Sequence, residues 1–204
     1  MIDTVRTIRV SDAGAVARLF QKQFLIEAEV GQSVRDLLTL QYGIDREMVD
    51  TRVKTVLLDS QPVDDIDRAI IRDGSTLALS GAMPGLVGAI LRAGSFYAPM
   101  RGTITYHADA RERDLSGSGT VTVKLFNTLV AFLGPYFLRK GIVVSAADFA
   151  GAALSIPHSQ RKKIFHDRSD DRPLKERDFR RFEEGAHAGE RVRLVMSGGA
   201  ETTA

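Results

Sequence analysis

Val56-Leu57-Leu58-Asp59-Ser60-Gln61-Pro62-Val63-Asp64-Asp65, followed by Arg72-Asp73-Gly74-Ser75-Thr76-Leu77-Ala78-Leu79, is the stretch whose reading decides the fold. Val53–Leu58 is a run of β-formers that stops at a polar turn, Asp59–Pro62. Ile70 and Ile71 then lead into the turn residues Asp73-Gly74, after which Leu77 and Leu79 alternate. Two strands with a tight connection are expected.

Working outward toward the N-terminus, FLIEAEV at Phe24–Val30 sets Phe24, Ile26, Ala28 and Val30 on one face, the period of a strand. Residues 33–42, SVRDLLTLQY, read as a helix. Ser33 can cap it, Asp36 three residues on can close a capping box, and Gly43 supplies the stop. Val5–Val10 and Ala15–Phe20 are short apolar stretches; the segment before Phe24 is open between strand and a short helix from Ser11 or Asp12. The order is strand, helix, strand, tight connections, strand. One helix laid across a small mixed sheet buries both amphipathic surfaces, an α+β arrangement.

The quoted residues and this order resemble the second half of a β-grasp, ubiquitin-like sulfur-carrier domain. The small subunit of molybdopterin synthase and the thiamine sulfur carrier are such domains. The resemblance covers about residues 15–90 and implies a β-grasp-like mixed sheet with one crossing helix, placed here at 1–108. In those carriers a free Gly-Gly follows the last strand, because its carboxylate is adenylated and thiolated. Here the stretch Ser80–Gly94 stands in that place, and about 110 residues follow. Carrier chemistry therefore does not transfer to this position. Val192–Gly199 looks like a carrier tail, but it stops five residues short and would need processing at Gly199.

Beyond the quoted stretch, Ala82–Ala93 reads as a helix with Pro84 in its first turn and Gly94 near its end. Gly85 and Gly88 leave a smooth face, beside the apolar Leu86, Val87, Ile90 and Leu91. Met83, Pro84, Gly85, Gly88 and Arg92 are thus candidates for a ligand or partner site. Close packing of the helix on the sheet explains the same glycines. Gly85-x-x-Gly88 lacks the Lys-Ser/Thr of a phosphate loop and the third glycine of a dinucleotide fingerprint.

Arg101–His107 alternates and reads as an edge strand, and Asp109–Gly119 as an exposed loop or linker. Residues 120–196 read as an α/β region extending the first sheet. Val121–Phe126 is its strand, Asn127 a cap, and Leu129–Leu138 a helix that Gly134-Pro135 should break or kink. Ile142–Val144 and Phe149–Leu154 continue the core. Pro173–Glu184 reads as a charged helix docked by Phe179 and Phe182, with Glu176/Arg180 and Arg180/Glu184 spaced to pair. Residues 197–204 read as a disordered tail.

Composition bounds function. The chain has 204 residues, 44% of them hydrophobic and 26% charged, and no cysteine. Mean hydropathy is −0.08. Thiol catalysis, disulfides and Cys-ligated metals are excluded, and the length supports a core without such staples. The net charge of +2 is local: Gln160–Arg193 holds 11 basic and 8 acidic residues, while the first 159 hold 17 of each. Arg161, Lys162, Lys163, Arg180 and Arg181 make that surface basic and are candidate anion ligands. As a nucleic-acid footprint 161–181 is thin, because acids interleave and aromatic-rich strands are missing. The N-terminus lacks an apolar signal region. The uncharged run Gly74–Leu91, eighteen residues long, carries too many glycines for a membrane helix.

Catalytic patterns are equally sparse. His107, His158, His166 and His187 form no HExxH pair; His107 with Asp109 and His166 with Asp167 are the possible metal ligands. Asp64, Asp65 and Asp67 lack the Gly and Glu positions of an EF-hand and read as turn chemistry. No serine sits in a nucleophile elbow. The expectation is a cytoplasmic, non-enzymatic module that acts through a protein partner or homo-oligomer, without a cofactor or membrane span. Alternatives are a small-molecule binder or enzyme near 83–92, weak nucleic-acid binding through 161–181, and a processed sulfur carrier.

Overall fold

The computed structural model describes residues 6–106, 117–184 and 189–198. β1 (Arg6–Val10) passes through an Asp12-capped 3₁₀ turn into α1 (Ala17–Lys22) and then β2 (Phe24–Val30). α2 (Val34–Asp36) runs on as a π-helical turn at Leu37–Gln41, and α3 (Arg46–Arg52) follows. Next come β3 (Thr55–Leu58), β4 (Gln61–Pro62) and β5 (Thr76–Ser80). α4 (Gly85–Leu91) precedes a 3₁₀ helix at Ala98–Ile104. β6 (Gly117–Phe126), α5 (Leu129–Lys140), β7 (Ile142–Ser145) and α6 (Ala146–Leu154) are consecutive. α7 (His158–Ile164), β8 (Phe165–Asp167), α8 (Glu176–Glu184) and β9 (Arg191–Met196) close the order.

The nine strands of the described residues form one mixed sheet, ordered β4-β3-β5-β6-β2-β7-β9-β1-β8. The pairs β5–β6 and β1–β9 are parallel and the rest antiparallel. The chain is therefore α+β, and the strands on either side of 109–119 share one sheet. Among the described residues no helix is long and apolar enough to cross a membrane.

One face of the sheet is apolar along its whole width. Val56, Leu79, Leu125, Val121, Ile26, Ile142, Leu194 and Ile8 are all buried there. The alternate positions carry Glu27, Thr122, Lys124, Thr76, Arg193 and Thr7, which are half-buried or exposed. Two aromatic clusters pack helices onto the apolar face. Phe24 meets Phe20 of α1 and Phe137 of α5, with Tyr42 against Phe137 at 4.8 Å. Phe149 of α6 meets Phe165 of β8 and Phe179 and Phe182 of α8. Edge-to-face geometry at 5.3–5.5 Å adds an electrostatic contribution to the burial.

Local chemistry explains the ends. The Asp36 N–H donates to Ser33 Oγ at 3.1 Å, and the Ser33 hydroxyl donates to the Asp36 carboxylate at 2.7 Å, as the cap spacing predicts. Asp59 and Ser60 both have positive φ (50° and 69°), which suits the tight hairpin between β3 and β4.

Several expectations are corrected. Residues 101–106 are not a strand, and His107 lies outside the described residues: Ala98–Ile104 is a 3₁₀ helix, in which Arg101 turns inward to an ion pair that alternation could not foresee. α5 runs through Gly134-Pro135 as one helix. Gly134 is there for packing, since a Cβ would lie 2.6 Å from the Phe20 ring. Asn127 has φ 55° and donates from its amide to Ser80 Oγ; the residue before α5 is Thr128. Glu176 pairs with Arg161 at 3.1 Å, so no Glu176–Arg180 pair forms. Gly117–Gly119 belong to β6; the remainder of the expected linker and tail, at 109–116 and 199–204, lies outside the described residues.

Candidate functional site

The excursion between β5 and β6 carries the sequence candidates. Met83, Pro84, Gly85 and Arg92 line one cavity of about 580 Å³, together with Phe96 and Tyr97. Gly88 does not face that space. It is buried, and a Cβ there would lie 2.1 Å from the Met83 carbonyl oxygen. The close approach that Gly88 permits is by the chain's own Met83 backbone.

The outer surface is apolar. Leu86, Val87, Met100 and Ile104 are exposed, and Phe96 is 90% exposed, stacked edge-on against Tyr97 at 5.3 Å. No acidic residue occurs between Gly74 and Ala108. Arg92 is exposed and makes no ion pair among the described residues.

Polar bonds fix the excursion to the sheet's edge. The Ala93 N–H donates to the Lys54 carbonyl at 3.2 Å, and the Gly94 N–H to Asp64 Oδ1 at 3.2 Å. The Tyr106 N–H donates to the Pro62 carbonyl at 2.9 Å, and the Tyr106 hydroxyl accepts from the Ile70 N–H at 3.2 Å. Arg101 pairs with Asp64; its side chain is fully buried, and its Nε and Nη1 have no hydrogen-bond partner among the described residues. Asp64, Asp65 and Asp67 do act as anchors: Asp65 accepts the Asp67 N–H, and Asp67 pairs with Arg35 at 2.6 Å. In the cavity wall, the Ser95 hydroxyl donates to the Ala89 carbonyl at 2.6 Å, which occupies its proton. The wall presents apolar groups beside one cation, Arg92.

The second set of candidates is divided. Arg161 is buried, stacks over Phe179 at 5.5 Å, and pairs with Glu176; it is a packing residue. Lys162, Lys163 and Arg180 are exposed. Arg181 lines a cavity of about 600 Å³ with Arg6, Arg172, Arg177 and Phe182, and with the acids Asp178 and Glu190. Behind its wall, Arg6 donates from Nε and Nη2 to Asp167 at 2.8 and 2.5 Å, and Arg172 reaches Asp178 at 2.9 Å. Burial alone would raise the Asp178 pKa. Bonds from Arg172 and the Lys175 N–H, with the charges of Arg172 and Arg6, outweigh it and hold the carboxyl at about 2. Residues 6, 172 and 177 are too dispersed in sequence for any spacing rule to gather them. Phe96 and Tyr97 had a signal: adjacent aromatics in an acid-free stretch after Gly94.

His166 alternates to the face opposite Asp167, which turns to Arg6, so the two do not converge. His107, Asp109 and His187 lie outside the described residues. No group of three potential metal ligands occurs among the described residues. Gly198 follows β9, which sits between β7 and β1 and far along the sheet order from β5. No family model, no curated protein and no solved structure matches the chain.

Proposed function

We propose that this chain is a protein-interaction module whose β-grasp-like part displays the 83–104 excursion as its docking surface. The carrying observation is the exposure of Leu86, Val87, Phe96, Met100 and Ile104 on one acid-free excursion held by backbone bonds. Exposed apolar groups gathered in this way mark recognition surfaces more often than catalytic ones. The β-grasp-like reading draws support from the strand block β4-β3-β5-β6-β2, whose central parallel pair is flanked by antiparallel strands. α2 and its π-helical turn place Leu37 and Leu38 in the core beneath that block.

The partner is a polypeptide segment with apolar anchors and a carboxylate. Leu86 and Phe96 receive the anchors, and Arg92 receives the acid, since no acid among the described residues pairs with it. Charge complementarity selects this occupant over a basic one.

Selection of a random linear peptide display library on the purified protein tests this. Enriched peptides should pair two or more apolar residues with Asp or Glu. Leu86→Asp/Phe96→Asp should abolish their binding, and Arg92→Glu should weaken it by about tenfold, the order expected for a lost charge-assisted bond. Absence of enrichment, or equal binding to the double variant, overturns the proposal. Sedimentation showing a dimer that Leu86→Asp dissolves would also overturn it, by assigning the surface to a second copy.

A further inference from the structure

The cavity between β1 and α8 carries a separate proposal that shares no residue with the docking surface. Six charged side chains line it: Arg6, Arg172, Arg177 and Arg181 against Asp178 and Glu190. The inner arginines are occupied. Arg6 gives two bonds to Asp167, and Arg172 divides itself between Asp178 and Asp170. The outer two are not: Arg177 and Arg181 make no ion pair or hydrogen bond among the described residues, and both are exposed.

Arg177 and Arg181 stand four apart on α8, so they share a face with Cβ atoms about 5–6 Å apart. Like charges at that spacing repel; of the two acids in the lining, Asp178 is paired with Arg172, and Glu190 makes no ion pair with either arginine among the described residues. We infer that the cavity binds a phosphate-type dianion, bridged by the guanidinium groups of Arg177 and Arg181. Two planar forks at this spacing suit a tetrahedral anion, which takes paired N–H bonds from each. The inner network has a different task. It keeps Asp167 and Asp178 paired with arginine, which leaves Glu190 as the one lining carboxylate without an ion pair among the described residues. Phe182, fully buried beneath the Arg6 guanidinium at 5.4 Å, forms part of that wall.

The chemistry is common to free phosphate and to a phosphomonoester, so the experiment carries both. The full chain is titrated by calorimetry with inorganic phosphate, with AMP, and with sodium chloride at matched ionic strength. Phosphate or AMP should bind and raise the unfolding temperature beyond chloride, as a ligand of the folded state must. Tighter binding of AMP assigns a phosphomonoester, and equal or weaker binding assigns the free anion. Arg177→Gln/Arg181→Gln should weaken binding at least about tenfold, while Arg180→Gln, which lies outside the cavity lining, leaves it unchanged. The proposal fails if chloride stabilises as strongly as phosphate. It also fails if the double variant binds like the parent, or if Arg180→Gln loses as much.

Discussion

Residues 158–184 and 83–104 invert what their hydropathy suggests. The first segment is densely charged, yet it buries Phe165, Phe179 and Phe182 and takes Arg161, Asp167 and Asp178 inside. The second is nearly free of charge, yet it exposes Leu86, Val87, Phe96, Met100 and Ile104. The difference lies in which side docks. On α8 the apolar groups are confined to one side, Phe179 and Phe182, and that side meets Phe149 of α6. On α4, Leu86, Val87, Ile90 and Leu91 share one face of a seven-residue helix, but the buried position is Gly88 on the other side, so Leu86 and Val87 face outward. Charge can thus be internal where each ion has a partner, and an apolar face external where the helix docks by its glycine side.

The largest test of that contrast compares two phenylalanines. Phe149→Ala should lose about 3–5 kcal/mol in urea unfolding, because it removes the centre of the aromatic cluster. Phe96→Ala should stay within about 0.5 kcal/mol, being a surface change. Equal losses would break the comparison. Next is the Arg101–Asp64 pair. Asp64→Ala strands a buried guanidinium and should cost about 3 kcal/mol. Arg101→Met should cost less than about 1 kcal/mol, since Asp64 is 39% exposed and the unpartnered Nε and Nη1 disappear with the side chain. The smallest effect is with pH. Asp178 is held at about 2 in the fold, against about 3.9 unfolded. Its contribution is complete above about pH 4 and is lost as pH falls toward 2, about 2 kcal/mol in all. Asp167 and Asp148 are lowered too and fade in the same direction. Asp178→Asn should flatten this part of the acid-unfolding curve, and an unchanged slope would locate the acid sensitivity elsewhere.

Elements whose signal is local were legible in the sequence. Phe24–Val30 alternates, Ser33 and Asp36 cap, and Asp73-Gly74 turns, so β2, α2 and β5 fall where the pattern places them. α3 was not legible: Arg46–Arg52 has only Met48 and Val49 as apolar residues, and its Asp45 cap carries most of the signal. Strand order was beyond reach as well, because β6 joins β5 and β2 through contacts distant in sequence. Met83, Pro84, Gly85 and Arg92 were found because glycine and proline punctuate; the Arg6–Arg172–Arg177–Arg181 set was missed because only tertiary structure gathers it.

The placing of β6 and β9 also sets a timetable. Among the described strands, β1 pairs only with β8 and β9, and β2 only with β6 and β7. A nascent chain grown as far as residue 100 therefore holds two described strands whose neighbours are still to come. Only β3, β4 and β5 can assemble at once. Until Gly117–Phe126 emerges, Phe24 and Ile26 wait without their sheet, in the window where nascent chains are most open to aggregation.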